Sequence, residues 1–206
     1  GLAFSPDGTM LASVGVDGLV VTYDVATGVA RTLLDLRAQL SSVVWLDART
    51  LLVTGGALEG ARVIDVSSRT VRTVGEGAMA NWWRTTDRLR YYHPGRQAIH
   101  EMPLAGGAVR EVARDVLVVV GHGDTALYTT EAGVFALAGY ESSRIGEPTT
   151  PVAMAISPDG TRAALSTTTS TIEWVLATGK ETRRWTTGTV GWLDYAPQGL
   201  VTLGVG

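Results

Sequence analysis

The chain has 206 residues, 45% of them hydrophobic, with 17 basic and 20 acidic side chains and no cysteine; a chain of this size buries a substantial core and fits one domain. Its formal net charge of −3, without any basic stripe, argues against a nucleic-acid partner. No apolar run approaches the roughly 18 residues of a membrane span, and the missing cysteines exclude disulfides and thiolate metal sites while leaving the compartment undetermined.

The first predicted strand, Leu2–Phe4, is short and apolar. Ser5-Pro6-Asp7-Gly8 is a turn: Pro presets φ, Asp bonds its own backbone, and Gly accepts φ > 0. A second apolar run, Met10–Val14, leads to the hairpin signal Asp17-Gly18. Residues 19–25 then alternate, with Leu19, Val21, Tyr23 and Val25 on one face. Ala26-Thr27-Gly28 turns the chain into a fourth run. The pattern returns late in the chain, where VAMAISPDGT and VLATG repeat the first copy at offsets of 152 and 151 residues. Those offsets divide into four repeats of about 38 residues, a period proper to repeat arrays. Four short antiparallel strands per repeat make a small sheet that must stack on its neighbours, which predicts an all-β protein, a β-propeller of four-stranded blades.

The repeats fall at about 1–37, 38–75, 76–114, 115–148, 149–187 and an incomplete 188–206. In the second, Val43–Leu46 is the inner strand and Asp47-Ala48-Arg49 the first turn. The third diverges most, with Asn81-Trp82-Trp83-Arg84 as inner strand and Tyr92-His93-Pro94-Gly95-Arg96 as second turn. The fourth has the apolar run Val116–Val120 and the turn His122-Gly123-Asp124. The fifth carries Trp174 where the first has Tyr23, and its turn is Asp159-Gly160. About five and a half blades, 22 strands, are counted. A ring needs closure, so the expectation is a piece of a longer protein whose ring has six or seven blades, with an open edge that favours self-association of the piece.

FSPDGTMLAS, the Asp17-Gly18 turn and YDVATG resemble the WD40 repeat, with Tyr23-Asp24 where the Trp-Asp pair usually stands. The repeat around SPDGTRAAL also looks like those of TolB-type and lactonase-type propellers. The resemblance implies a structural role for Asp17, tying strands together by hydrogen bonds. Its usual Gly-His partner is displaced here, since Gly121-His122 falls in a first turn.

Most motifs that suggest chemistry have plainer explanations. Asp7 with Gly8, and Asp159 with Gly160, read as turn residues that cap their own loops. His93 and His122 sit in turns at opposite ends of strands ~17 Å long and cannot share a metal. Gly75-Glu76-Gly77-Ala78-Met79-Ala80 mimics a dinucleotide fingerprint, but no helix follows to hold a pyrophosphate. No cofactor or metal is implied. Phe4, Trp45, Trp83, Ile156 and Tyr195 share an inner-strand position and read as packing between blades.

Two functions remain: a non-catalytic scaffold or sensor module that binds protein or peptide, or a lactonase- or hydrolase-type enzyme with carboxylates and His around the central channel. The inner strands carry only Arg84 and Asp194 as charges, few for a site of three or four converging ligands. This favours the interaction module. The second turns and the loops leading into each blade share one face. There Tyr92, His93 and Arg96, with Trp82 on the strand beside them and Leu58 and Glu59 from the second repeat, form the expected binding patch.

Overall fold

A computed structural model describes residues 1–55, 60–75, 80–196 and 198–204, together with the backbone but not the side chain of Ala80. The chain divides into two compact units, Gly1–Met79 and Ala80–Gly206. Each is built of antiparallel sheets whose strands follow chain order.

The first unit holds two four-stranded sheets. One is β1 (Leu2–Phe4), β2 (Met10–Val14), β3 (Leu19–Asp24) and β4 (Ala30–Asp35). The other is β5 (Ser42–Trp45), β6 (Thr50–Thr54), β7 (Ala61–Asp65) and β8 (Val71–Val74). Their first strands, β1 and β5, meet. Val20, Leu51, Val53 and Ile64 are buried in the core between the sheets, and Trp45 joins them there, its Nε1 donating to the carbonyl of Ala3 at 3.0 Å. Phe4 departs from its expected core role: it is 63% exposed. In a strand of period two, Phe4 shares the outer face with Leu2, and Ala3 alone faces the core.

The second unit holds three four-stranded sheets and one two-stranded sheet. The third sheet is β9 (Ala80–Arg84), β10 (Arg88–His93), β11 (Ala98–Pro103) and β12 (Arg110–Ala113), with a 3-10 turn at Pro94–Arg96 between β10 and β11. The fourth is β13 (Val118–His122), β14 (Thr125–Thr130), β15 (Gly133–Ala138) and β16 (Glu141–Gly146). The fifth is β17 (Ala153–Ile156), β18 (Arg162–Ser166), β19 (Ser170–Val175) and β20 (Lys180–Thr186). β21 (Val190–Ala196) and β22 (Gly199–Gly204) form the sixth. Here too neighbouring sheets meet by their first strands: β9 with β13, β13 with β17, and β17 with β21.

Apolar side chains of adjacent sheets interdigitate to form the cores. Trp83 packs with Val116, Val119 and Tyr128 between the third and fourth sheets, flat against the backbone of Gly121. Trp174, 2% exposed, lies among Val134, Ile172, Leu165 and Ile145 between the fourth and fifth. In four of the five four-stranded sheets the ladder between third and fourth strand is bulged, which bends the outer strand. Among the described residues no helix is long and apolar enough to cross a membrane.

Candidate functional site

The turn carboxylates are occupied locally. Asp7 Oδ1 accepts from Ser5 Oγ at 2.7 Å and from the amide and hydroxyl of Thr9 at 3.1 and 2.9 Å. Asp159 repeats this with Ser157 and Thr161. These bonds favour the charged form, so the Asp7 carboxyl is held below the usual range and that of Asp159 falls to about 2, the serine hydroxyl being the largest cause in both. Gly8 and Gly160 complete the turns at φ of 71° and 68°. Asp24 and Asp65 cap the later turns through Thr27 and Ser68 in the same way. Asp17 bonds the amide of Leu19 two residues on, at 3.1 Å, and Gly18 follows at φ 81°.

Two buried glutamates show a different use of charge. Strand register puts Thr22, Val63, Glu101, Ala136 and Glu173 at one repeated position of the third strand. Glu101, 1% exposed, sits opposite Arg90, also 1% exposed, and takes its Nε–H at 2.8 Å. Arg88 at 3.2 Å and the Tyr140 hydroxyl at 2.6 Å complete its shell. Arg90 in turn donates to the carbonyls of Asp124 and Gly139, in turns between strands of the fourth sheet. Burial pushes the Glu101 carboxyl up, but the Tyr140 and Arg90 hydrogen bonds and the two guanidinium charges outweigh it and leave it below the ordinary value. Glu173 accepts from Tyr195 of the sixth sheet at 3.1 Å and from Thr182 at 3.0 Å. Burial first, then the Glu173 charge, drives the Tyr195 phenol far above its usual value. In both cases a buried acid receives a tyrosine from the following sheet, a clip between neighbours. Sequence reading missed these residues, although an acid inside an otherwise apolar third strand is visible as a break in the pattern.

The residues expected to bind a partner are partly brought together. Tyr92 is half-buried, and its hydroxyl donates to the carbonyl of Val116 at 3.0 Å, tying β10 to the segment that leads into β13. Burial raises its phenol. His93 Nδ1 accepts the amide of Arg96 at 3.2 Å and so caps the 3-10 turn; its ring also lies 5.6 Å from that of the buried His100. Arg96 and Gln97 are exposed beyond it. Trp82 points elsewhere: with Asn81, Val118–Gly121 and Pro151–Met154 it lines a cavity of about 340 Å³ along the first strands of three sheets. His122 is exposed at the end of β13. Leu58 and Glu59 lie outside the described residues. Among the described residues no three His, Asp or Glu side chains converge.

Beside the Pro94–Arg96 turn opens a larger groove, about 720 Å³, between the third and fourth sheets. Gln97 ends one wall, Leu117 lies in the lead-in segment, and Glu131 and Ala132 form the turn between β14 and β15. Tyr128 and Phe135 stack along it with ring centres 5.3 Å apart. The groove therefore occupies the second-turn end of these sheets, where the expected patch also lies.

No protein-family model matches the chain, and no curated protein matches it. Solved structures do. A chain of a mitotic checkpoint complex superposes with a TM-score of 0.68 at 17% identity, over 95% of this chain. Hsv2 of Kluyvelomyces marxianus gives 0.72 at 12% identity, over 98%. The fold is a WD40-like β-propeller. The chain spans 66% and 67% of the lengths of those two proteins. The sheets are accordingly blades, and the first strand of each is the inner one.

Proposed function

We propose that this propeller is a non-catalytic interaction module that docks a protein or peptide at the second-turn end of blades three and four. The observation that carries this reading is the open groove of about 720 Å³ there, with Leu117 42% exposed in its wall and the Arg96–Gln97 turn at its end. Loops on a rigid β scaffold are where binding residues concentrate, and aromatic residues and Arg are the side chains that anchor partners. Asp7, Asp24, Asp65 and Asp159 are employed in their own turns and Glu101 and Glu173 in clips between blades, and the described inner strands offer a lactonase-like enzyme only one carboxylate, Asp194, which accepts the Tyr195 amide at 2.8 Å. One similar chain belongs to a mitotic checkpoint complex, and assembly with other proteins is the role carried over from it.

The test is affinity capture of the full-length protein from its own cells, followed by binding of the recombinant partner. An Arg96→Ala/Leu117→Ser variant, which removes contact area without adding charge, should lose that partner. A Lys180→Glu/Arg183→Glu variant, altered on the exposed outer strand of blade five, should keep it. Equal retention by both variants, or loss by the control alone, contradicts the assignment.

A further inference from the structure

The cleft between blades three and four has a counterpart one blade along, and comparing the two separates what the fold requires from what this cleft adds. The second groove, about 540 Å³, lies between blades four and five and is built from the corresponding pieces: the end of an outer strand, a lead-in segment and a second turn. Register fixes the correspondence. Leu117 and Val152 both donate their amides to the second strand of the following blade, at Thr129 and Ser166. Thr130 and Thr167 both close the turn that follows. Counting from these anchors, Asp115 corresponds to Thr150, Glu131 to Thr168, Phe135 to Ile172 and Tyr128 to Leu165.

Each departure changes the chemistry in the same direction. The groove between blades three and four has two exposed carboxylates, Asp115 and Glu131, that make no ion pair among the described residues; its third, Glu111, is matched by Arg114 at 2.9 Å. Its wall is aromatic, with Tyr128 and Phe135 stacked, whereas the exposed Leu117 has an equally exposed apolar counterpart in Val152 and is shared by the two places. In the groove between blades four and five the same places hold threonines and aliphatic residues, and the one aromatic side chain that lines it, Trp174, is 2% exposed and stands at a different position of the third strand. The carboxylates there are neutralised, Glu147 by Arg144 at 2.7 Å and Glu181 by Arg184 at 2.6 Å. One cleft is thus balanced in charge, and its structural equivalent carries unanswered negative charge above an apolar, aromatic wall.

That combination suits a cation carried on an apolar stem. The methylenes of Lys or Arg cover apolar surface while the charged head reaches carboxylates, and an aromatic face adds attraction for the cation. We propose that the groove between blades three and four receives a Lys- or Arg-bearing segment of a partner protein, the basic side chain meeting Asp115 and Glu131 and a neighbouring apolar residue resting on Leu117 and Phe135. This rests on the interaction reading above and specifies its chemistry.

The experiment uses full-length protein and a phage-displayed library of random dodecapeptides; the best peptide is synthesised with a fluorophore for anisotropy. Selected peptides should carry Lys or Arg beside an apolar residue. Asp115→Asn/Glu131→Gln, which keeps the shape and removes the charge, should weaken the peptide by at least about tenfold, as should replacing its Arg by citrulline or its Lys by norleucine. Glu147→Gln/Glu181→Gln in the neighbouring groove should leave binding unchanged. Selected peptides without a cation, or full binding by the Asp115→Asn/Glu131→Gln variant, overturn the proposal, and so does spermidine competing as tightly as the peptide. If Leu117→Ser abolishes binding while the charge-neutral variant does not, only the basic-ligand chemistry fails. If neither variant affects the peptide, the docking face fails with it.

Discussion

Removing one member of the Arg90–Glu101 pair should damage the fold far more than removing both. Each residue is 1% exposed and the Nε–Oε2 distance is 2.8 Å. Breaking a buried pair typically costs about 3–5 kcal/mol because the survivor stays buried and unpaired. Here each survivor keeps partners: Glu101 retains Arg88 and Tyr140, and Arg90 retains the carbonyls of Asp124 and Gly139. Arg90→Met and Glu101→Leu are therefore placed at the low end, about 3 kcal/mol each. Together they leave no buried charge, and the loss reduces to the unpaired carbonyls and tyrosine hydroxyl, about 1–2 kcal/mol. The coupling in the double-mutant cycle is then on the order of 4 kcal/mol. Urea melts followed by tryptophan fluorescence measure all four proteins. The pH dependence has a definite sign. Because the folded-state carboxyl of Glu101 lies below its ordinary value, its contribution is complete above that value and lost as pH falls through the lowered one. The wild type should thus lose stability more steeply in acid than the double variant does. Single variants within about 1 kcal/mol of wild type, or a double variant that costs as much as both singles combined, would refute the clip.

Trp174→Ala should cost about 3–5 kcal/mol in the same melts, since the indole fills the core between blades four and five; a loss under about 1 kcal/mol would mean that it does not fill that core. Gly121→Ala would put a methyl 2.1 Å from Cε2 of the buried Trp83, so a lower melting temperature and altered Trp fluorescence are expected, and an unchanged melt would show that the indole has room to shift. Asp159 should titrate near 2 by NMR, well below an ordinary aspartate, and move up when Ser157 is replaced by Ala, because the Ser157 hydroxyl is the main cause of its depression; no response would locate the cause elsewhere.

What could be read from sequence was what is decided locally. The two SPDGT turns are legible because Ser, Asp and Thr within five residues satisfy one another, as Ser5, Asp7 and Thr9 do. The alternation in β3 is likewise a property of a few adjacent residues, but it does not say which face turns inward: Val20 and Thr22 are buried, and the more apolar face of Leu19, Val21 and Tyr23 is half-buried. The propeller fold followed from stacking such pieces. What was not legible depends on register between strands and between blades. Nothing near Glu101 in the chain announces Arg90, eleven residues back, or Tyr140, thirty-nine ahead. Phe4 has the same apolar character as Ala3, and only the pairing of β1 shows which of them turns inward. Tyr92 and His93 were singled out for their residue types, and both also have structural partners, Val116 and the Arg96 amide. Asp115 and Glu131 look like ordinary turn residues until their counterparts Thr150 and Thr168 are set beside them.

What matters most is where a partner sits. Hydrogen–deuterium exchange of the full-length protein, with and without a partner captured from its own cells, measures this over every amide. Binding at the groove between blades three and four predicts slowed exchange across 94–97, 114–117 and 130–132, with 148–150 and 167–170 of the neighbouring groove unchanged. Protection confined to other loops, or spread equally over both grooves, would contradict it.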